Sequence, residues 1–169
     1  LKNHKKNNFE LAEKLYKKIL KINPKHFESI FFLGTLSAQL NKINIAKELF
    51  QKAIEIKPDH PNANYNFGNV LKSIGEYNKA IHYYKKAILI NPNFIEAHNN
   101  LGVAYREVRE LQKAKNCYEK VIKIRPNDSR AYNNLGNIME ELGENEKSIH
   151  YFKKALEIKP NLIEAQKNI

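Results

Sequence analysis

Residues 129–162 read SRAYNNLGNIMEELGENEKSIHYFKKALEIKPNL. Within them, AYNNLGN at 131–137 places three asparagines and a glycine in an apolar-periodic stretch. Asparagine is a mediocre helix former, and glycine costs about 1 kcal/mol against alanine at an interior helical site. The same anomaly stands upstream as AHNNLGV at 97–103 and ANYNFGN at 63–69. A pattern that recurs against local propensity needs a packing reason or a binding reason.

Working outward, one interval governs the chain. Pro24, Pro58, Pro92, Pro126 and Pro160 are spaced by 34, and Gly34, Gly68, Gly102 and Gly136 keep that spacing. So do Ala12, Ala46, Ala80, Ala114 and Ser148, and the aromatics Tyr16, Phe50, Tyr84, Tyr118 and Phe152. A fixed period of this length marks a repeat array. Between prolines lie two amphipathic stretches, the second carrying Ala80, Tyr83, Tyr84, Ala87 and Ile88 at three-to-four spacing, which is the helical period. The break between them carries Gly75 or Gly143, suited to a helix C-terminus. Proline ends the second helix because it lacks an N–H and clashes with the preceding turn. Each unit is therefore a helix–turn–helix hairpin.

This pattern resembles the tetratricopeptide repeat (TPR) family: a leucine–glycine pair, an alanine early in the second helix, an aromatic four residues later, a further alanine, and a closing proline. The aromatic the family carries four residues before the glycine is replaced by Ile30, Asn64, His98 and Tyr132. The resemblance implies an all-α fold, a right-handed α-solenoid of TPR hairpins forming one domain. Complete repeats fall at 27–60, 61–94, 95–128 and 129–162. Residues 1–26 are expected to hold the end of a first helix and a whole second helix, and 163–169 the start of a further repeat or a capping helix. Neither flank has the polar cap with which arrays end, and no initiator Met opens the chain. The expectation is that the natural protein continues, or that its edges meet another copy.

The glycines are read as close-approach points facing the small slot Ala46, Ala80, Ala114 and Ser148. One stripe of each first helix is core, as at His98, Leu101 and Tyr105, or Tyr132, Leu135 and Met139. The opposite face gathers Asn66, Asn69 and Lys72, then Asn99, Asn100 and Arg106, then Arg130, Asn133, Asn134 and Asn137. Spacings of three and four keep these together on one face. Asparagine amides both donate and accept. The position two before the glycine repeats as Asn66, Asn100, Asn134 and Asn168. This ladder resembles the one in the TPR array of O-linked N-acetylglucosamine transferase, and the resemblance implies amides gripping the backbone of an extended peptide in a concave groove. In the first full repeat the matching places hold Phe31 and Phe32, with Tyr65 one repeat on; they are candidates for an aromatic pocket. Another TPR class grips a terminal carboxylate with a clamp of cations and asparagine, but two of its basic places here are Tyr65 and Asn134. The charge-assisted bonds of that clamp are then incomplete.

The formal charge is +11. Lys18, Lys52, Lys86, Lys120 and Lys154 recur two residues after the aromatic, on the outer ridge near a helix C-terminus, where the macrodipole favours them. Nucleic-acid binding would call for basic residues interleaved with exposed aromatics, so a nucleic-acid partner is not expected. No nucleophile–base pair, phosphate loop or metal-ligand spacing is found, and neither an enzyme activity nor a cofactor is expected. His82 and His150 stand two repeats apart, and Cys117 is the one cysteine. No apolar run is long enough to span a bilayer, and a cytoplasmic location is expected. The function read from the sequence is a protein-interaction scaffold. The alternatives are the substrate-recruiting arm of a larger transferase and an array self-associating end to end.

Overall fold

A computed structural model describes the chain over residues 2–168, with side chains from residue 8 on. It divides into two compact units, one up to Ile90 and one from Asn91 on. Among the described residues all regular structure is helical. In the first unit α1 (Lys2–Ile22) precedes two hairpins, α2 (Phe27–Gln39) with α3 (Ile43–Ile56) and α4 (Pro61–Ser73) with α5 (Tyr77–Ile90). In the second unit α6 (Ile95–Glu107) pairs with α7 (Leu111–Ile124) and α8 (Ser129–Glu141) with α9 (Asn145–Ile158), and the short α10 (Ile163–Gln166) follows. Inside each unit a second helix packs on the next first helix, α3 on α4 and α7 on α8.

The expected breaks fall where the sequence puts them. The second helices end at Ile56, Ile90, Ile124 and Ile158, each two residues before its proline. Gly75 and Gly143 take left-handed backbone at φ 76° and 77°, and Asn41 (φ 57°) and Arg109 (φ 62°) do the same in the other hairpins. Residues 1–26 differ from expectation. They hold no join between a first and a second helix, because α1 runs unbroken from Lys2 to Ile22. Neither glycine nor proline interrupts that stretch, and a nucleated helix propagates through such a run.

The packing at the glycines also corrects the sequence reading. A Cβ built on Gly136 would stand 2.5 Å from Phe152 Cε1, and one on Gly68 would stand 2.6 Å from Tyr84 Cε1. The surface that needs glycine is thus the face of the aromatic ring, not the alanine slot. Ala46, Ala80, Ala114 and Ser148 are buried, but the atoms nearest each glycine belong to the ring four residues further along the helix. The burial of Tyr84, Tyr118, Phe50 and Phe152 under these glycines is the main apolar gain of each hairpin, roughly 1.5–3 kcal/mol per large side chain.

A second device holds the turns between hairpins. The side chain four residues before the glycine reaches back six residues to the proline carbonyl. Asn64 Nδ2 donates to Pro58 O at 2.8 Å, and Gln166 Nε2 donates to Pro160 O at 2.8 Å. His98 Nε2 meets Pro92 O at 3.0 Å, which requires the N–H on that nitrogen. Asn64 Nδ2 also donates to His60 O at 3.0 Å. At Asn64, His98 and Gln166, though not at the apolar Ile30, a polar side chain satisfies a carbonyl that the helix end leaves without an intrahelical partner. The N-caps follow the same period. His60 Nδ1 accepts from the Ala63 N–H at 3.1 Å, His26 Nδ1 from Ser29 N–H at 3.3 Å, and Asp128 Oδ1 from Ala131 N–H at 3.0 Å. Histidine can do this only with Nδ1 unprotonated.

Neighbouring hairpins are further joined by ion pairs of opposite polarity. Glu13 of α1 meets Lys42 in the turn before α3 at 3.1 Å. One repeat later, Lys47 of α3 meets Glu76 in the turn before α5 at 2.6 Å.

Candidate functional site

The candidate residues lie on the first helices α2, α4, α6 and α8, opposite the stripe that packs into the hairpins. In the first unit Asn66 and Asn69 of α4 line a cleft of about 350 Å³. Its floor is Ala38, Ile43, Phe50 and Val70, and Thr35, Gln39 and Ser73 complete the wall. Tyr84 explains part of this arrangement. Its ring lies against Gly68, and its buried hydroxyl donates to Asn69 Oδ1 at 2.8 Å. Burial, with Tyr65 nearby, pushes the Tyr84 hydroxyl far above the ordinary tyrosine range, so it remains a donor at every physiological pH. Lys72 is half-buried, and burial holds its ammonium below the usual lysine range.

Of the aromatic candidates, Phe31 and Phe32 meet edge to face with ring centroids 5.3 Å apart. Phe31 packs among Phe27, Phe50 and His60, with ring centroids 5.9, 6.0 and 5.2 Å away. Phe32 stacks on Tyr16 of α1 at 6.0 Å, and Tyr65 lies 6.0 Å from Tyr84.

In the second unit the candidates separate by depth. Asn133 is only 8% exposed, so it belongs to the core edge and not to an open face. Its Oδ1 and that of Asn99 are buried with no hydrogen-bond partner. Asn100 and Asn134 are half-buried at the position two before the glycine. Asn137 Oδ1 accepts from Asn168 Nδ2 at 2.9 Å, which joins two positions of the expected amide face to each other. Arg130 is exposed near the start of α8. Arg106 is not presented as a lone cation: its Nε donates to Glu141 Oε1, while Arg109 Nη1 donates to Glu141 Oε2 at 2.8 Å. One carboxylate thus ties the C-terminal ends of α6 and α8 together.

The α2 wall of the cleft was legible and is missed by the sequence reading above. Thr35, Ala38 and Gln39 occupy the places one, four and five after Gly34, the same places that gather the amide face in later repeats. Cys117 is buried, and burial pushes its thiol up to about 12, so it is not a nucleophile at neutral pH. His82 and His150 are exposed and lie against Tyr83 and Tyr151 at 5.1 and 5.5 Å. Among the described residues no helix is long and apolar enough to cross a membrane.

Comparison with known proteins places this geometry. The family model described as "Tetratricopeptide repeat" matches residues 93–161, and "TPR repeat" matches residues 68–108. A third, described as "Anaphase-promoting complex, cyclosome, subunit 3", matches residues 5–87. No match is found among curated protein sequences. Among solved structures, one of MamA is 33% identical, with 94% of this chain and 93% of that chain covered and a TM-score of 0.88. MamA 41-end from Desulfovibrio magneticus RS-1 is 22% identical over 94% of this chain and 89% of that one, with a TM-score of 0.87. YrrB, described as a TPR protein with an unusual peptide-binding site, is 23% identical over 97% of this chain and 84% of that one, with a TM-score of 0.87. At this identity the likeness to YrrB is one of fold.

Proposed function

The chain belongs to the tetratricopeptide repeat family, and from that membership we propose that it is a protein-interaction scaffold that binds an extended peptide segment along the faces of its first helices. The observation that carries this reading is the cleft where Asn66 and Asn69 stand over an apolar floor. An amide can pair with a peptide N–H and C=O together, and backbone contacts of that kind tolerate many sequences. Asn100 and Asn134 repeat the position of Asn66 and are proposed to continue the grip. The description of YrrB as having a peptide-binding site supports the same kind of partner. We infer a binding role rather than a catalytic one, either alone or as the recruiting arm of a transferase. The single cysteine fits a reducing compartment, and we place the protein in the cytoplasm.

The test is capture from a defined peptide array by the intact chain and by Asn100→Ala/Asn134→Ala. The double variant is expected to lose most of the captured set, and equal capture by both would remove the ladder. A second reading is favoured by one observation. Leu11, Leu15, Ile19 and Ile22 form an exposed apolar stripe on α1, the side that a hairpin partner covers on α3. Self-association through this stripe predicts a mass that rises with concentration in light scattering, whereas a monomer at high concentration contradicts it.

A further inference from the structure

We infer that the cleft between α2, α3 and α4 is a specificity subsite for one aliphatic side chain of the bound segment, and that the matching place in the second unit takes no side chain. This rests on the extended-segment reading above and adds the chemistry it selects.

The cleft is neutral. None of its nine lining residues is charged, in a chain of which 28% is charged. Its polar groups also have partners close by. Ser73 Oγ donates to Val70 O at 2.7 Å, Thr35 Oγ1 donates to Phe31 O at 3.0 Å, and Asn69 Oδ1 receives the Tyr84 hydroxyl at 2.8 Å. A guest there meets Ala38, Ile43, Phe50 and Val70. A volume of about 350 Å³ lies at the small end of ligand pockets, roughly 300–1,000 Å³, and leaves room for an aliphatic side chain with the stretch of backbone that carries it. An ionised guest would lose its water with no opposite charge to replace it.

The repeat supplies an internal control. Two periods on, Ala38 becomes Arg106, Ser73 becomes Glu141 and Phe50 becomes Tyr118. Arg106 and Glu141 are ion-paired to each other, and Arg109 holds the second oxygen of that carboxylate. The pair bridges α6 to α8 at the place that Ala38 and Ser73 leave open between α2 and α4. The same backbone frame is thus an open apolar cleft in one unit and a closed polar bridge in the other.

The experiment titrates N-acetyl-leucine methylamide, and separately its aspartate counterpart, into the isotope-labelled chain while recording amide NMR spectra. The leucine probe is expected to move the side-chain amide signals of Asn66 and Asn69 and the backbone signals of Ala38 and Val70. The aspartate probe should bind at least about tenfold more weakly. Ala38→Arg/Ser73→Glu transplants the bridge and should abolish those shifts with the circular-dichroism spectrum unchanged. Arg106→Ala/Glu141→Ser should create a second responding set around Asn134 and Asn137. Equal response to both probes, shifts centred elsewhere, shifts that survive Ala38→Arg/Ser73→Glu, or none at the solubility limit each overturn the subsite. Absence of the second set overturns the statement about the closed place. Peptide capture that depends on Asn100 and Asn134, together with a silent cleft, sinks the subsite alone; the converse sinks the ladder alone.

Discussion

Replacing the four helix-buried glycines by alanine, one at a time, gives a graded response whose order follows from the aromatic rings. Every such change gains about 1 kcal/mol of helix propensity, so that contribution cancels across the series. The clash does not. At Gly34 the new Cβ would lie 3.1 Å from Phe50 Cε1 and 3.3 Å from Leu49 Cβ, contacts that a shift of a few tenths of an ångström relieves. At Gly102 it would lie 2.7 Å from Tyr118 Cζ. At Gly136 it would meet Phe152 Cε1, Cδ1 and Cζ at 2.5, 2.7 and 3.0 Å, with the ring fully buried. Overpacking a tight core costs about 1–3 kcal/mol. Gly34→Ala is therefore expected to be neutral or stabilising by up to about 1 kcal/mol. Gly136→Ala, with the tightest contacts, is expected to lose a net ~0–2 kcal/mol after the propensity gain. In a chain of this size 1 kcal/mol moves the melting midpoint by roughly 2–4 °C. Because arrays melt repeat by repeat, hydrogen exchange of the α8 and α9 amides should accompany the thermal melts, with faster exchange confined to that hairpin in Gly136→Ala. Equal stabilisation by Gly34→Ala and Gly136→Ala would refute the ring-contact account.

Other expectations follow from the polar devices. Asn64→Ala strips both carbonyl partners from a fully buried amide and should cost about 1–3 kcal/mol in urea denaturation. Asn134→Ala, at the proposed ligand face, should instead gain about 0.5 kcal/mol while weakening peptide capture. Burial, then the charge of Lys57, lowers the pKa of His60, with Glu28 opposing. A folded value below the ordinary one of about 6.5 means that the unfolded chain binds the proton first. This contribution to stability is complete above that pH and drains away as pH falls toward and through the folded value. His60→Asn, which keeps a capping oxygen without titrating, should flatten the melting temperature between pH 7.5 and pH 5 relative to the parent. Arg109→Gly relieves left-handed backbone in a non-glycine residue, worth about 1–2 kcal/mol. It gives up only an exposed ion pair of at most ~1 kcal/mol, so a net rise in thermal stability is expected.

The fold was legible because the 34-residue period repeats independent signals, and proline and glycine act locally. What the sequence hid was tertiary. Nothing in the spacing distinguishes Asn133, tucked at the core edge, from Asn134 beside it, since the two differ by one helical step and share a side-chain type. The replacement of an aromatic by Asn64, His98 or Gln166 reads as decay of a motif until the proline carbonyl that each one reaches is seen. Arg106 looks like a ligand cation because its partner Glu141 lies 35 residues away. The glycine's neighbour was misassigned for a related reason: period alone pairs small with small, and only geometry shows a ring as the nearest contact.

The opposite polarity of the pairs Glu13–Lys42 and Lys47–Glu76 bears on a hazard of chains built from near-copies. A helix of one hairpin can dock on the wrong neighbour during folding, since the apolar faces are almost interchangeable. If α1 skipped the hairpin α2–α3 and settled on the next, Glu13 would meet Glu76 instead of Lys42. Attraction would become repulsion, a weak effect for pairs this exposed. That is small against a native contact, yet it acts when two dockings are otherwise nearly degenerate. The exchanged charge thus biases α1 toward its own neighbour, and the signs do not exchange again at the later places, Ile81 with Glu110 and Lys115 with Glu144.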